Sequence, residues 1–316
     1  MQTTLLDVRR ILTVYGMTTY LALGNIGLII NLMIFSQRQH RRNACSLYIL
    51  ATSASSLLGL NSAVIPHLYA LNNESLIVQS VFLCQLIYYL RHTFSQMMRT
   101  FIVLACIDRY LSCRNPTRSR WFLNEYQIAV RVIAGVILFW LLLGLFPSSL
   151  QTISNHVCDV FNSTHVILFS VYIILVLCIL PLLSMITFSV MLLINLRRIR
   201  KRINPTSINS ISRPSTILRR RDFDMIRMIL IEILFYICTS IPLTISLFYR
   251  VITQNSRKSA QHHAIEDFIT FISRTFLLYI NNSVSFWIYI STSRSFRFEV
   301  KSLFLRIHTF LICKSS

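Results

Sequence analysis

The chain has 316 residues, of which 54% are hydrophobic and only 13% charged, with a mean hydropathy of +0.59. A soluble domain carries about 25% charged residues to cover its surface, so this composition excludes an ordinary soluble enzyme or binding module. The net charge of +20 raises nucleic acid as a partner, and only the distribution of that charge can decide the question.

Apolar runs of about 20 residues are long enough to cross a bilayer core as helix. Seven are predicted in chain order, at Ile11–Phe35, Ser46–Leu71, Val81–Cys106, Gln127–Leu150, Val166–Leu196, Met225–Tyr249 and Ile265–Ile290. Gly and Pro number 6 and 7, so the spans read as mostly uninterrupted helix. The first run is too long for a signal-peptide core, and no small-residue cleavage site follows it, so it reads as a retained helix. The expected fold is all-α: a polytopic seven-helix bundle over residues 11–290, a short extracellular N-terminus over 1–10, and a cytoplasmic helix and tail over 291–316. No repeat or low-complexity tract is visible.

The basic residues alternate between faces. The segments after spans one, three, five and seven hold twenty Lys and Arg, against five on the other side (Arg9, Arg10, Arg250, Arg257 and Lys258). That bias puts the N-terminus outside and the tail inside a plasma membrane. It also makes the basic surface a contact for an anionic inner leaflet, not a nucleic-acid footprint. Two sequons, Asn73-Glu74-Ser75 and Asn162-Ser163-Thr164, fall in segments assigned to the outside, where glycans are added. A third, at Asn281, lies inside span seven and is expected to be unusable.

Most of the eight cysteines read as small apolar packing residues. Cys84, at the outer end of span three, and Cys158, between spans four and five, differ because they face an oxidising compartment, where a disulfide between them is permitted. Cys313 follows a basic amphipathic tail segment and is a palmitoylation candidate; an idle thiol is the alternative.

Charges inside the spans are the remaining signal, because intramembrane charges usually face the bundle interior and find a partner. Span three carries Arg91 and Arg99 and closes on Asp108-Arg109-Tyr110; span six carries Glu232 and span seven Arg274. Arg99 lies ten residues outward of Arg109, and Glu232 ten residues outward of Asp222. At about 1.5 Å per residue the inner pair and the outer pair share depths, which predicts a buried Arg99–Glu232 contact. Ten residues also turn a helix some 80° off the first face, so each residue finding backbone carbonyls or water is the alternative.

The whole pattern resembles a rhodopsin-like (class A) G-protein-coupled receptor. Gly24-Asn25 matches that family's span-one signature, and Cys84 precedes Arg109 by the family's 25 positions. Trp140, Pro181 and Pro242 fit its residues in spans four, five and six. Ser285-Phe286-Trp287-Ile288-Tyr289 stands where the family usually has Asn-Pro-x-x-Tyr, and Phe296 fits the helix beyond it. Three positions depart: Ser56 replaces the span-two aspartate, Ser240 the span-six tryptophan, and Phe286 the span-seven proline. The Asn281-x-Ser283-x-x-Phe286-x-x-Tyr289 context is similar to invertebrate FMRFamide-type neuropeptide receptors.

The resemblance implies a receptor without cofactor that transmits an extracellular ligand's binding to a heterotrimeric G protein. It makes Asp108, Arg109, Tyr110, Asp222 and Tyr289 the G-protein switch, with Asp222 closing an ionic lock on Arg109. It makes Asn25, Arg99, Glu232 and Ser285 intramembrane polar residues. Arg91 takes the place where amine receptors carry an aspartate, so an anionic group or short peptide is expected in a pocket of Tyr88, Arg91, His92 and Arg274, with Tyr89, His67 and Tyr69 as further walls. The alternative for Arg91 and Arg274 is pairing with Glu266 or Asp267 at the rim.

Two other function classes are weaker. Transporters show paired halves and broken helices, and seven-span channel subunits of the insect chemosensory type run inverted against the charge bias. A chemosensory small-molecule receptor is the alternative within the family. No metal cluster, phosphate-cradling loop or activated nucleophile is evident in the sequence.

Overall fold

The computed structural model describes residues 2–41, 43–114, 125–154, 157–203, 220–253 and 259–315. Seven long helical spans form a bundle. Span one runs Gln2–Ile11, Leu12–Met17 and Thr18–Phe35, and span two Ala44–Tyr69. Span three is Val81–Arg114, and span four is Glu125–Leu143, extended by Leu145–Ser149. Span five runs Ser163–Tyr172, Ile173–Ile179 and Leu180–Ile203, span six Arg220–Ile252, and span seven Ala260–Thr270, Phe271–Leu277 and Leu278–Thr292. In spans one, five and seven the middle segment is a π-helical turn. Such a turn inserts a residue and rotates the rest of the helix about its axis.

Lipid-sized apolar side chains cover the outside. Leu138, Leu142, Leu183, Leu234 and Ile245 are all at least 60% exposed, which is tolerable only against hydrocarbon. Five of the spans are long and apolar enough to cross a membrane by composition alone. Spans three and seven are more polar, and they carry Arg91, Arg99 and Arg274 into the interior.

At one end an antiparallel pair, Thr152–Ser154 with Val157–Asp159, lies against the start of span three. The expected disulfide joins Cys84 to Cys158 with Cα atoms 6.0 Å apart, and Gln85 Nε2 donates to the Gln151 carbonyl beside it (3.1 Å). At the other end Asn43 caps span two by accepting from the Cys45 amide (3.1 Å). Ser293 leaves the helical region and caps a last helix, Arg294–Ser315, through the Phe296 amide (3.0 Å). With no Gly or Pro after that cap, this helix runs 22 residues, well beyond the short element expected. Residues 2–10 also differ from expectation: they are helical, continuous with span one, and Arg9 lies over the Phe271 ring of span seven at 4.9 Å.

Close helix approach is set by small residues. A Cβ on Gly24 would meet Ser283 and Leu60 below 3.0 Å, and one on Gly27 would sit 2.7 Å from Phe286 Cβ. Phe286, which stands in place of the family's proline, is therefore housed by a missing side chain on span one.

Candidate functional site

The disulfide end holds a cleft of about 500 Å³, open solvent included, lined by spans three, five, six and seven. Arg91, Arg99 and Arg274 all line it, with Tyr88, His92 and Tyr279 among its other walls, and no carboxylate does. Arg91 and Arg274 make no ion pair with a described carboxylate, including Glu266 and Asp267. The Arg91 guanidinium lies over the Tyr88 ring at 5.3 Å, a cation–π contact that leaves its N–H groups available. Arg274 sits in the π turn of span seven, so its direction follows from an inserted residue that a regular helical count misses.

The walls divide. His92 stacks parallel to Tyr88 (5.8 Å) and shares a hydrogen bond with Tyr172 Oη (2.9 Å), so it fixes span three to span five while lining the cavity. Of the three further walls expected, Tyr89 donates to the Leu141 carbonyl of span four (2.9 Å) and belongs to that contact. His67 and Tyr69 do not line the cavity.

Arg99 forms the cavity floor. It is 3% exposed, donates to Gln96 Oε1 (3.1 Å) and lies over the Tyr236 ring of span six (5.4 Å), while its Nε has no partner. The expected pairing with Glu232 does not form. Both oxygens of Glu232 are taken from span seven, by Ser285 Oγ (2.5 Å) and Tyr289 Oη (2.6 Å). Glu232 is directed to span seven instead, and Arg99 meets Tyr236, one helical turn further along span six.

Glu232 is one rung of a polar ladder between spans six and seven. Ser246 pairs with Ser273 (3.2 Å), and Thr239 exchanges hydrogen bonds with Asn281 (2.6 and 2.9 Å). Below Glu232, Asp224 Oδ2 accepts from Ser293 Oγ (3.3 Å), the Ser295 amide (3.2 Å) and Ser295 Oγ (2.8 Å). Positions 224, 232, 239 and 246 fall within about 80° of one face and span roughly 33 Å of axis, the thickness of a bilayer core. The seven-residue recurrence of polar side chains in an apolar span was the available signal for this ladder.

At the opposite end Arg109, 6% exposed, donates to Asp108 Oδ2 from Nε (3.0 Å) and Nη2 (2.6 Å), and to Asn43 Oδ1 (2.9 Å). A planar guanidinium suits such a fork. It ties span three to the capping residue of span two, a partner that no sequence pattern marked. The Tyr110 carbonyl accepts from Asn195 of span five (3.5 Å). The side chains of Asp222 and Cys313 lie outside the described residues. Phe296 stacks on Phe35 (6.0 Å) and meets Tyr289 edge-on (5.7 Å), while His40 contacts Glu299 (3.1 Å), docking the last helix under spans one and seven.

Asn25 and Asn61 exchange amide hydrogen bonds (2.7 and 3.1 Å) between spans one and two. Asn73 is exposed, and Asn162, also exposed, caps span five through Oδ1, leaving its Nδ2 unused by that bond. Among the described residues no cluster of three metal-ligating side chains occurs.

The sequence profile described as 7 transmembrane receptor (rhodopsin family) matches residues 24–289, from Gly24 of span one to Tyr289 of span seven. No curated protein sequence matches the chain. The matched stretch covers most of the chain and holds both the arginine-lined cavity and the Asp108-Arg109-Tyr110 end. The chain belongs to the rhodopsin family of seven-transmembrane receptors, and is therefore a multi-pass membrane signalling receptor and not an enzyme.

Proposed function

We propose that this receptor lies in the plasma membrane with its disulfide end outside, binds a ligand bearing an anionic group, a short peptide included, and activates a heterotrimeric G protein. The observation that carries the ligand class is the cavity itself, lined by three arginines and no carboxylate. Arginine at Arg91 repels an ammonium and presents a fork to a carboxylate or phosphate. The twenty-to-five distribution of basic residues supports the orientation. Asn73 and Asn162 are then glycan acceptors, Cys313 a palmitate acceptor, and the basic inner surface an anionic-lipid contact.

Arg109 is the pivot of the switch. In the resting state it is held by Asp108 and Asn43; Asp222 is its further acidic partner at the base of span six. Ligand binding moves span six outward, a change between two packed arrangements, and exposes Arg109 to the G protein. The Phe286 context favours a neuropeptide ligand, whereas the modest cavity favours a small-molecule chemosensory ligand.

The test is nucleotide exchange on G proteins in cells expressing the wild type or Arg109→Ala, challenged with peptides and anionic metabolites. A response abolished in the variant at equal surface expression supports the reading. A ligand-evoked current or substrate flux that survives the substitution overturns it.

A further inference from the structure

We infer that the cavity contains a second, deeper anion subsite at Arg99, so that the group filling it is a compact molecule with two separate carboxylates. This rests on the outer cavity being the ligand site, as proposed above, and extends it to the ligand's chemistry.

Three guanidiniums line one cavity whose walls supply no opposing carboxylate. Asp159, in the strand packed nearby, accepts from the Val160 amide (2.9 Å) and does not line the cavity. A charge buried without a counter-ion is costly, and in a membrane interior such residues mark ligand pathways. Arg91 and Arg274 are half-buried and can be served by water at the mouth. Arg99 cannot. It is 3% exposed, and among the described residues its Nε has no partner and its one hydrogen bond goes to the neutral amide oxygen of Gln96. The carboxamide of Gln96 is itself held by the Val176 carbonyl in the π turn of span five (3.5 Å), so the donor set is braced from two helices.

Arg91 and Arg99 lie eight residues apart, about 12 Å along the axis of span three. One anion at Arg91 and Arg274 therefore leaves Arg99 unserved, and a dicarboxylate serves both because the two long side chains line the same cavity and close part of that rise. The second carboxylate also competes with the Tyr236 ring for the Arg99 guanidinium, so occupancy of the subsite is felt on span six.

The test uses the purified full chain in lipid nanodiscs. Its melting temperature and binding are measured with glutarate, adipate and pimelate, with the monocarboxylates of equal length, and with inorganic phosphate. The dicarboxylates are expected to bind at least about tenfold more tightly than their monocarboxylates, the worth of one charged hydrogen-bonded contact. Arg99→Gln is expected to erase that difference, and Arg99→Lys to keep part of it. Equal binding of mono- and dicarboxylates, phosphate matching the dicarboxylates, or a difference that survives Arg99→Gln overturns the proposal. So does the absence of any dicarboxylate binding to the wild type, a comparison that needs no variant to fold. Dicarboxylate binding without G-protein activation leaves the subsite standing and removes the signalling reading; activation by uncharged or cationic ligands with no dicarboxylate binding does the reverse.

Discussion

Replacing Glu232 by Leu tests whether the polar ladder holds span six against span seven. The substitution removes both interhelical bonds, from Ser285 Oγ (2.5 Å) and Tyr289 Oη (2.6 Å), at a site 6% exposed. Interhelical hydrogen bonds in membranes are worth about 0.6 kcal/mol on average and about 1.7 at most. Two such bonds stabilise the clamped arrangement by about 1.2 to 3.4 kcal/mol. At about 1.4 kcal/mol per tenfold, their loss shifts the balance toward the released state by about eightfold to 300-fold. Tyr289→Phe and Ser285→Ala each remove one bond, for a shift of about threefold at the average value.

Basal nucleotide exchange without ligand and the melting temperature of the purified receptor are the paired readouts. Exchange is expected to rise in the order Ser285→Ala, Tyr289→Phe, Glu232→Leu while the melting temperature falls. A merely misfolded protein loses both. Glu232→Gln keeps an acceptor for Ser285 and can meet Tyr289 Oη only with the bond reversed, the amide donating, so it is expected to lie between the wild type and Glu232→Leu. The double variant Glu232→Leu/Tyr289→Phe should match Glu232→Leu alone, since both remove the same bond. Additive effects, or unchanged exchange and melting in Glu232→Leu, refute the clamp.

Gly27→Ala places a methyl 2.7 Å from Phe286 Cβ and is expected to cost about 1 to 3 kcal/mol of stability; Phe286→Gly in the same chain, which removes that Cβ, is expected to couple to it, and strict additivity in thermal melts argues against the contact. Asp224→Ala removes the acceptor of Ser293 and Ser295, so amide exchange at Ser295 and Phe296 should quicken while residues of span seven above Asn281 stay protected. With the disulfide end outside, Asn73→Gln and Asn162→Gln each remove one glycosidase-sensitive increment in gel mobility; a chain carrying no glycan at either site in a glycosylating cell contradicts that orientation.

Span number, the disulfide and the stationing of charges in spans three and seven were legible in the sequence because they depend on run length and residue type. Direction was less legible. Glu232 takes partners on span seven and not the expected Arg99, because counting at 1.5 Å per residue gives a rise along the axis, whereas facing accumulates 100° per residue and the choice of neighbour needs the packing. Arg274 shows the same limit, since the π turn beneath it inserts a residue with no sequence mark of its own. Asn43 as a partner of Arg109 was invisible for another reason: its side chain is assigned by the cap of span two, a local event, and reaches Arg109 only through the tertiary fold. Phe286 was readable as a departure from the family's proline, but its fit against Gly27 is a fact about two helices.

The cavity floor and the ladder meet at one residue. Tyr236 lies under the Arg99 guanidinium (5.4 Å) and stands four residues, one helical turn, from Glu232 on the same helix. Glu232 in turn holds Tyr289, whose ring meets Phe296 of the last helix. Packed contact alone does not establish coupling, which requires an element with two arrangements that both ends bias. In the switch proposed above span six is that element, and two contacts bear on the same stretch: the arginine at the cavity floor engages Tyr236, and the span-seven hydroxyls engage Glu232. An anion that draws Arg99 away from Tyr236 relaxes the first constraint only. Tyr236→Leu should therefore raise basal exchange in the wild type and add nothing to the response evoked through Arg99, whereas Glu232→Leu should add to it. If Tyr236→Leu instead leaves basal exchange untouched while Glu232→Leu raises it, the ladder acts alone and the cavity floor is connected to the switch by another route.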